Sequence, residues 1–206
     1  MPLALIGLMR PTHYHVSPPF AALLWMLGCA LSYVLSAPPA AAAQSDIDVK
    51  VQFVGEEIRT VASFFVRAPR QHVWDVLTDY DRASEYIRDL QTSKVVARMG
   101  DTLRVLQKAQ FRFGPFALPV ETVRDVRLTE PVRTESHLVS GSMKKYDAMT
   151  ELVREGEGTR ILYRSHAIPG SALSAFVSEA TIKGETQEHF RQLRDEVLRR
   201  QDVAAK

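Results

Sequence analysis

The residues able to do chemistry are scattered along the chain. His72, His137, His166 and His189 stand far apart, with no i, i+4 pair of the kind a helix uses to hold a metal. The single cysteine, Cys29, lies in an apolar N-terminal run and is placed to join none of them. Ser140 and Ser142 lack a G-x-S-x-G elbow and suit strand and turn positions. Gly156 to Gly158 lacks both the G-x-G-x-x-G form and a strand-to-helix context, so it reads as a hairpin turn rather than a nucleotide loop. Asp79 and Asp81 flank Tyr80 at a helix end, where turn formation and solvation account for them. No catalytic residue, metal or cofactor is therefore expected.

Polar groups that could meet a ligand remain. On the strand around residue 124, Arg124 shares a face with Val120, Thr122 and Val126, while Glu121 and Asp125 share the other. If the valines face inward, so does the guanidinium, which then needs either a polar ligand head or an internal carboxylate; the alternative is a strand-edge position in solvent. Tyr146 and Tyr163 either offer hydroxyls to such a head or sit at an interface with the OH in water. Gly184 interrupts an apolar helical stripe at a cost of roughly 1 kcal/mol relative to Ala. Either the helix approaches the sheet closely there or the missing side chain leaves room for a ligand, with the Gln187 amide in the same region.

The elements that would position these groups follow from periodicity. Val49, Val51 and Phe53 alternate, Gly55 breaks the run, and Ile58, Val61 and Phe65 resume it, which predicts two strands. Pro69 is suited to the first helical position, and Val73, Val76, Leu77 and Tyr80 follow at helical spacing. A second short helix is expected near Ala83 to Arg88. From Leu90 to Pro169 the period becomes two, with turns expected at Gly100–Asp101, Gly114–Pro115, Glu130–Pro131, Lys144–Asp147 and Gly156–Gly158, giving six strands. Leu103, Val105, Ala109, Phe111 and Phe113 form the dry face of one of them. After Gly170, the residues Leu173, Phe176, Val177, Ala180, Gly184, Gln187, Phe190, Leu193 and Val197 make the stripe of one long amphipathic helix, with a frayed tail after Arg200. Helices segregated from an antiparallel sheet define an α+β fold.

The stretch Phe113-Gly-Pro-Phe-Ala-Leu-Pro119 is an unusually apolar turn. Phe116 and Leu118 either fold over a cavity mouth, where they could gate it or touch a membrane surface, or tuck against the short helices.

Composition and the N-terminus place the chain. With 46% hydrophobic and 24% charged residues it has globular composition. Arg10, the apolar run from Phe20 to Leu35, and Ala41 and Ala43 before Gln44 read as a signal peptide over residues 1–43, with an uncleaved anchor or a lipid-modified Cys29 as rival readings. The remainder, residues 44–200 with a tail at 201–206, is one domain in a periplasmic or secreted setting. Of 26 Lys and Arg only Arg10 falls in the leader, and all 24 Asp and Glu follow it, leaving a net charge of +1 and no electrostatic case for nucleic acid.

Val66 to Asp81 (VRAPRQHVWDVLTDYD), Ser140 to Tyr146 (SGSMKKY), Gly158 to Tyr163 (GTRILY) and Ile168 to Gly170 resemble the polyketide cyclase/dehydrase and coenzyme Q-binding branch of the START-like superfamily. The resemblance implies the helix-grip fold, in which a bent antiparallel sheet holds the terminal helix around an elongated cavity. It implies an apolar small-molecule partner such as a lipid or quinone, without naming it, because one fold hosts many functions. Candidate contacts on the strands are Val105, Phe111, Phe113, Arg124, Tyr146 and Tyr163. Phe116 joins them from the turn, and Phe176, Gly184 and Gln187 from the last helix. A non-catalytic carrier is the leading expectation. A cyclase, dehydratase or hydrolase using the same cavity, or an envelope interaction module, are the alternatives.

Overall fold

The structure, a computed structural model, describes residues 47–113 and 116–204. The segment read as a signal peptide, its processing site and Cys29 lie outside the described residues. A hairpin of β1 (Asp48–Val54) and β2 (Glu57–Val66) turns at Gly55, whose φ of 60° suits a residue without a Cβ. Helix α1 (Arg70–Leu77), a 3-10 turn (Tyr80–Arg82) and α2 (Ala83–Tyr86) follow. Six strands then meander as β3 (Leu90–Met99), β4 (Thr102–Phe113), β5 (Phe116–Thr129), β6 (Arg133–Gly141), β7 (Met143–Glu155) and β8 (Gly158–Pro169). The chain ends in α3 (Ser171–Ser174) and the long α4 (Glu179–Ala204). All eight strands form one open antiparallel sheet in the order β1-β2-β8-β7-β6-β5-β4-β3, so the first hairpin is added beside the last strand. This is the expected α+β helix-grip architecture.

The core gathers at two places on the inner face. Phe190, Leu193 and Val197 of α4 pack on Ala62, Phe64 and Val66 of β2, Leu152 of β7, Ile161 of β8 and Val73, Trp74 and Val76 of α1. Phe64 and Phe190 meet with ring centroids 5.0 Å apart. Farther along the sheet, Leu103, Val105 and Val126 pack together under Tyr80, and Ala83, Ile87 and Leu90 make a small satellite. Between these clusters a cavity separates part of the inner face of β4 to β7 from α4.

Several local expectations change. The β6–β7 turn lies at Gly141–Ser142, and Lys144 to Asp147 belong to β7. Gly141 has φ 134° and sits where a Cβ would come 2.1 Å from the Glu121 carbonyl oxygen, while Ser142 N–H donates to that same oxygen at 2.8 Å. The polar run looked like a turn because Lys145 and Asp147 are the wet face of a strand whose other face carries Tyr146. Pro69 precedes the first helical residue as its N-cap. In the apolar stretch, β4 and β5 stay paired up to Phe113 opposite Phe116, so Leu118 and Pro119 are strand residues, and Gly114 and Pro115 lie outside the described residues. Pro119 is tolerated because β5 pairs with β6 only from Thr122 onward.

The last helix is interrupted. Phe176 lies in the link between α3 and α4, and Ser178 caps α4 by accepting from Thr181 N–H at 3.2 Å. α4 then continues past Arg200 to Ala204, held there by Arg200, which bonds Glu196 at 2.6 Å and Asp79 at 2.7 Å.

Candidate functional site

Strand alternation aims one set of side chains from each of β4 to β8 at α4, and the space they leave is a cavity of about 410 Å³. That lies within the usual range for small-molecule sites. Gln107, Ala109 and Phe111 come from β4, Val120 and Arg124 from β5, Thr134 and Ser136 from β6, Tyr146, Ala148 and Thr150 from β7, and Tyr163 from β8. Leu77, Tyr80, Ala83, Tyr86 and Ile87 close one end. The roof is α4, which contributes Glu185, Thr186, Glu188, His189 and Gln192 to the cavity wall together with Phe190 and Leu193, which also pack in the core. Gln192 also accepts Arg88 N–H at 2.8 Å, tying the roof to the α2–β3 connection.

Arg124 is the central polar group. The β5–β6 pairing slips between Val123 and Arg124, leaving Val139 of β6 without a partner, and the bulge adjoins the point where the guanidinium enters the cavity. Its Nη2 donates to Gln107 Oε1 and its Nη1 to Ser136 Oγ at 3.4 Å. Gln107 is itself fixed by donating from Nε2 to Ser93 Oγ at 3.0 Å. The guanidinium carbon lies 5.4 Å from the centroid of the Tyr146 ring, a cation–π contact. The Tyr146 and Tyr163 hydroxyls are 3.0 Å apart and hydrogen-bonded, so neither points into bulk water. Tyr163 is edge-on to Phe190 with centroids 5.1 Å apart, which joins the polar cluster to the core.

Burial and the Arg124 charge set the proton states around it. Burial pushes the Tyr163 phenol well above its ordinary value, and Arg124 offsets part of that. Burial likewise raises Tyr80, with Arg124 again opposing. His189 is surrounded by protein, yet much of its surface is open because that surface faces the cavity. Enclosure first, and the Arg124 charge second, hold its imidazole down to about 4, so it is neutral at pH 7. Its ring stands edge-on to Phe190 at 5.5 Å, and neither nitrogen is hydrogen-bonded to a described residue.

The sequence candidates separate into groups. Phe111, Arg124, Tyr146 and Tyr163 share the cavity wall. Val105 is on the correct face of β4 but is fully buried against Leu103 and Val126, where the sheet is already filled. Phe176 is off the wall because the helix breaks there. Gly184 and Gln187 face the other way, toward the start of β1: Gln187 Nε2 donates to the Ile47 carbonyl at 3.2 Å, and a Cβ at Gly184 would meet nothing within 4 Å. Gly184 therefore neither allows a close approach of helix to sheet nor makes room in this cavity. The side chains of Phe113 and Phe116 lie outside the described residues. Gln107, Ser136, Tyr80 and His189 were not anticipated. Gln107 shares the alternation of Val105 and Ala109 and could have been found by it.

A bent antiparallel sheet closed by a C-terminal helix over a mainly apolar cavity defines a START-like ligand-binding fold. The sequence matches the family described as polyketide cyclase / dehydrase and lipid transport over residues 66–187, and the chain belongs to that family. No curated protein matches it. Among solved structures, a STAR-related lipid transfer protein from Xanthomonas axonopodis has a TM-score of 0.62 at 15% identity, covering 73% of this chain and 93% of that one. The Zhui aromatase/cyclase from Streptomyces sp. R1128 has a TM-score of 0.59 at 11% identity, covering 70% and 95%. A protein from Thermus thermophilus has a TM-score of 0.59 at 22% identity, covering 69% and 97%. At these identities the likeness is one of fold.

Proposed function

We propose that this domain binds and carries an apolar small molecule, a lipid or quinone-like compound, in the cavity under α4, and that it does so outside the cytoplasm. The observation that carries the reading is the unfilled space between β4–β7 and α4, bounded by Leu77, Ile87, Phe111, Val120 and Phe190. A folded domain leaves such space at a cost in packing, and an apolar guest recovers it. The leader read in residues 1–43 supports export, and Leu118 near the tip of the β4–β5 hairpin, with Phe116 two residues before it, supports transient contact with a membrane surface. The lipid transfer protein among the structural relatives is consistent with carriage. Native mass spectrometry of the processed protein, purified without delipidation and followed by solvent extraction, tests the reading. We expect near-stoichiometric adduct that is released on denaturation. Protein with no adduct, and with no uptake of added lipid or quinone, would contradict it.

His189 favours a second reading. A neutral imidazole on a cavity wall, near a fixed positive charge, has the proton state of a general base at pH 7. An enzyme of the aromatase or cyclase type would lose turnover in His189→Ala while still binding its ligand, whereas a carrier would be indifferent to the change.

A further inference from the structure

The charge balance of the cavity identifies the kind of ligand, resting on the reading that the cavity is occupied. We propose that the ligand bears an acidic oxygen group, a carboxylate or comparable oxyanion, on an apolar body, and that Arg124 supplies its counter-charge.

Arg124 is always cationic, yet it forms no ion pair among the described residues. Its two side-chain acceptors, Gln107 and Ser136, are neutral, and its Nε is buried with no acceptor among the described residues. The contrast with its neighbour is direct. β4–β5 pairing sets Arg104 opposite Asp125 on the outer face, where a two-pronged ion pair forms at 2.8 Å in both arms. One residue along each strand, on the inner face, Arg124 stands opposite Val105. The carboxylates on the cavity wall are engaged elsewhere: Asp89 pairs with Arg112 at 2.6 Å, and Glu188 with Arg191 at 2.7 Å and Arg88 at 3.3 Å. The remaining one, Glu185, makes no contact with Arg124, and burial, its largest influence, favours its neutral form.

The other groups around the guanidinium do not cancel its charge. Tyr146 offers a π face and, like Tyr163, a hydroxyl, and His189 offers a neutral ring whose nitrogens bond no described residue. The position from which a glutamate would neutralise Arg124 is held by Gln107, the uncharged isostere. A guanidinium enclosed in this way is matched by a planar oxyanion, which can take two of its unused N–H donors at once. A neutral carbonyl compound would leave the charge uncompensated.

Calorimetric titration at pH 7.5 tests this with two matched probe pairs, dodecanoate against 1-dodecanol and 2-naphthoate against 2-naphthalenemethanol. In the wild-type domain we expect at least one acid to bind about 10-fold or more tightly than its alcohol. In Arg124→Gln the preference should fall to near unity with alcohol binding retained. Gln107→Glu, which gives Arg124 an internal partner and leaves the arginine in place, should do the same and stands in if the first variant does not fold. Equal binding of acid and alcohol by the wild type, or a preference that survives both substitutions, would overturn the inference and leave the cavity reading intact. Binding of none of the four probes would overturn both.

Discussion

Replacing Ala148 by Phe asks whether the space under α4 is real. Ala148 lies in β7 between Ser136 of β6 and Ser165 of β8, and its side chain forms part of the cavity floor. A phenyl ring there enters space that the native side chains leave open. Burying the added ring is worth about 1.5–3 kcal/mol, and immobilising it costs about 0.5–1 kcal/mol. The net expectation is stabilisation by about 1 kcal/mol, which for a domain of this size raises Tm by roughly 2–4 °C. The same ring in a filled core would be overpacked and would cost about 1–3 kcal/mol, so the sign of the change distinguishes the two cases. Denaturant unfolding of ligand-free protein gives the stability, and uptake of an apolar probe gives the function, which should be lost. Destabilisation by more than about 1 kcal/mol, or unchanged uptake, would refute the reasoning.

Three further outcomes follow from the geometry. Titration of His189 by NMR should show a midpoint near 4, moving upward in Arg124→Gln as one positive charge is removed, yet staying below 6.5 because enclosure is the larger cause; an unmoved midpoint would mean the two groups do not interact. Glu196, held down to about 2 first by its bond to Arg199 and also by Arg200, contributes stability that is complete above about 4.5 and lost as pH falls through about 2. The deficit of Glu196→Gln in urea unfolding, about 1–3 kcal/mol at pH 7, should therefore shrink across that window. Gly141→Ala should destabilise by about 2 kcal/mol or more, since it combines positive φ with a backbone clash, whereas Gly184→Ala should stabilise by up to about 1 kcal/mol because the helix there is open; thermal melts of the two variants check the opposite signs.

The fold was readable because its signals are local and periodic. Alternation in β4 and β5 put Phe111 and Arg124 on the inner face, and the six-strand meander needed only turn residues at its corners. What misled was polarity that serves a strand or a helix rather than a loop. Lys145 and Asp147 made a strand resemble a turn, and the Ser178 cap that breaks the last helix was absorbed into an apparent stripe. The site was only partly legible for a related reason. Hydrophobic periodicity in α4 finds Phe190, Leu193 and Val197, the face that packs on the core, and says nothing of the adjacent polar face that roofs the cavity. His189, next to Phe190 in sequence, belongs to that second face. Val105 was drawn into the site by correct periodicity, but whether an inward position is packed or hollow depends on what lies across from it; Gly184 and Gln187 extended the apolar stripe of α4 in sequence yet lie on a face turned toward the start of β1. One-dimensional pattern does not carry that information.

The most direct measurement is a crystal structure of the domain spanning residues 44–206, purified without removing lipid. We expect elongated electron density under α4, bordered by Phe111, Val120 and Phe190, with its polar end at Arg124. Side chains of α4 collapsed onto β4–β7, with no space and no density between them, would contradict the claim that this sheet and helix are built around a guest.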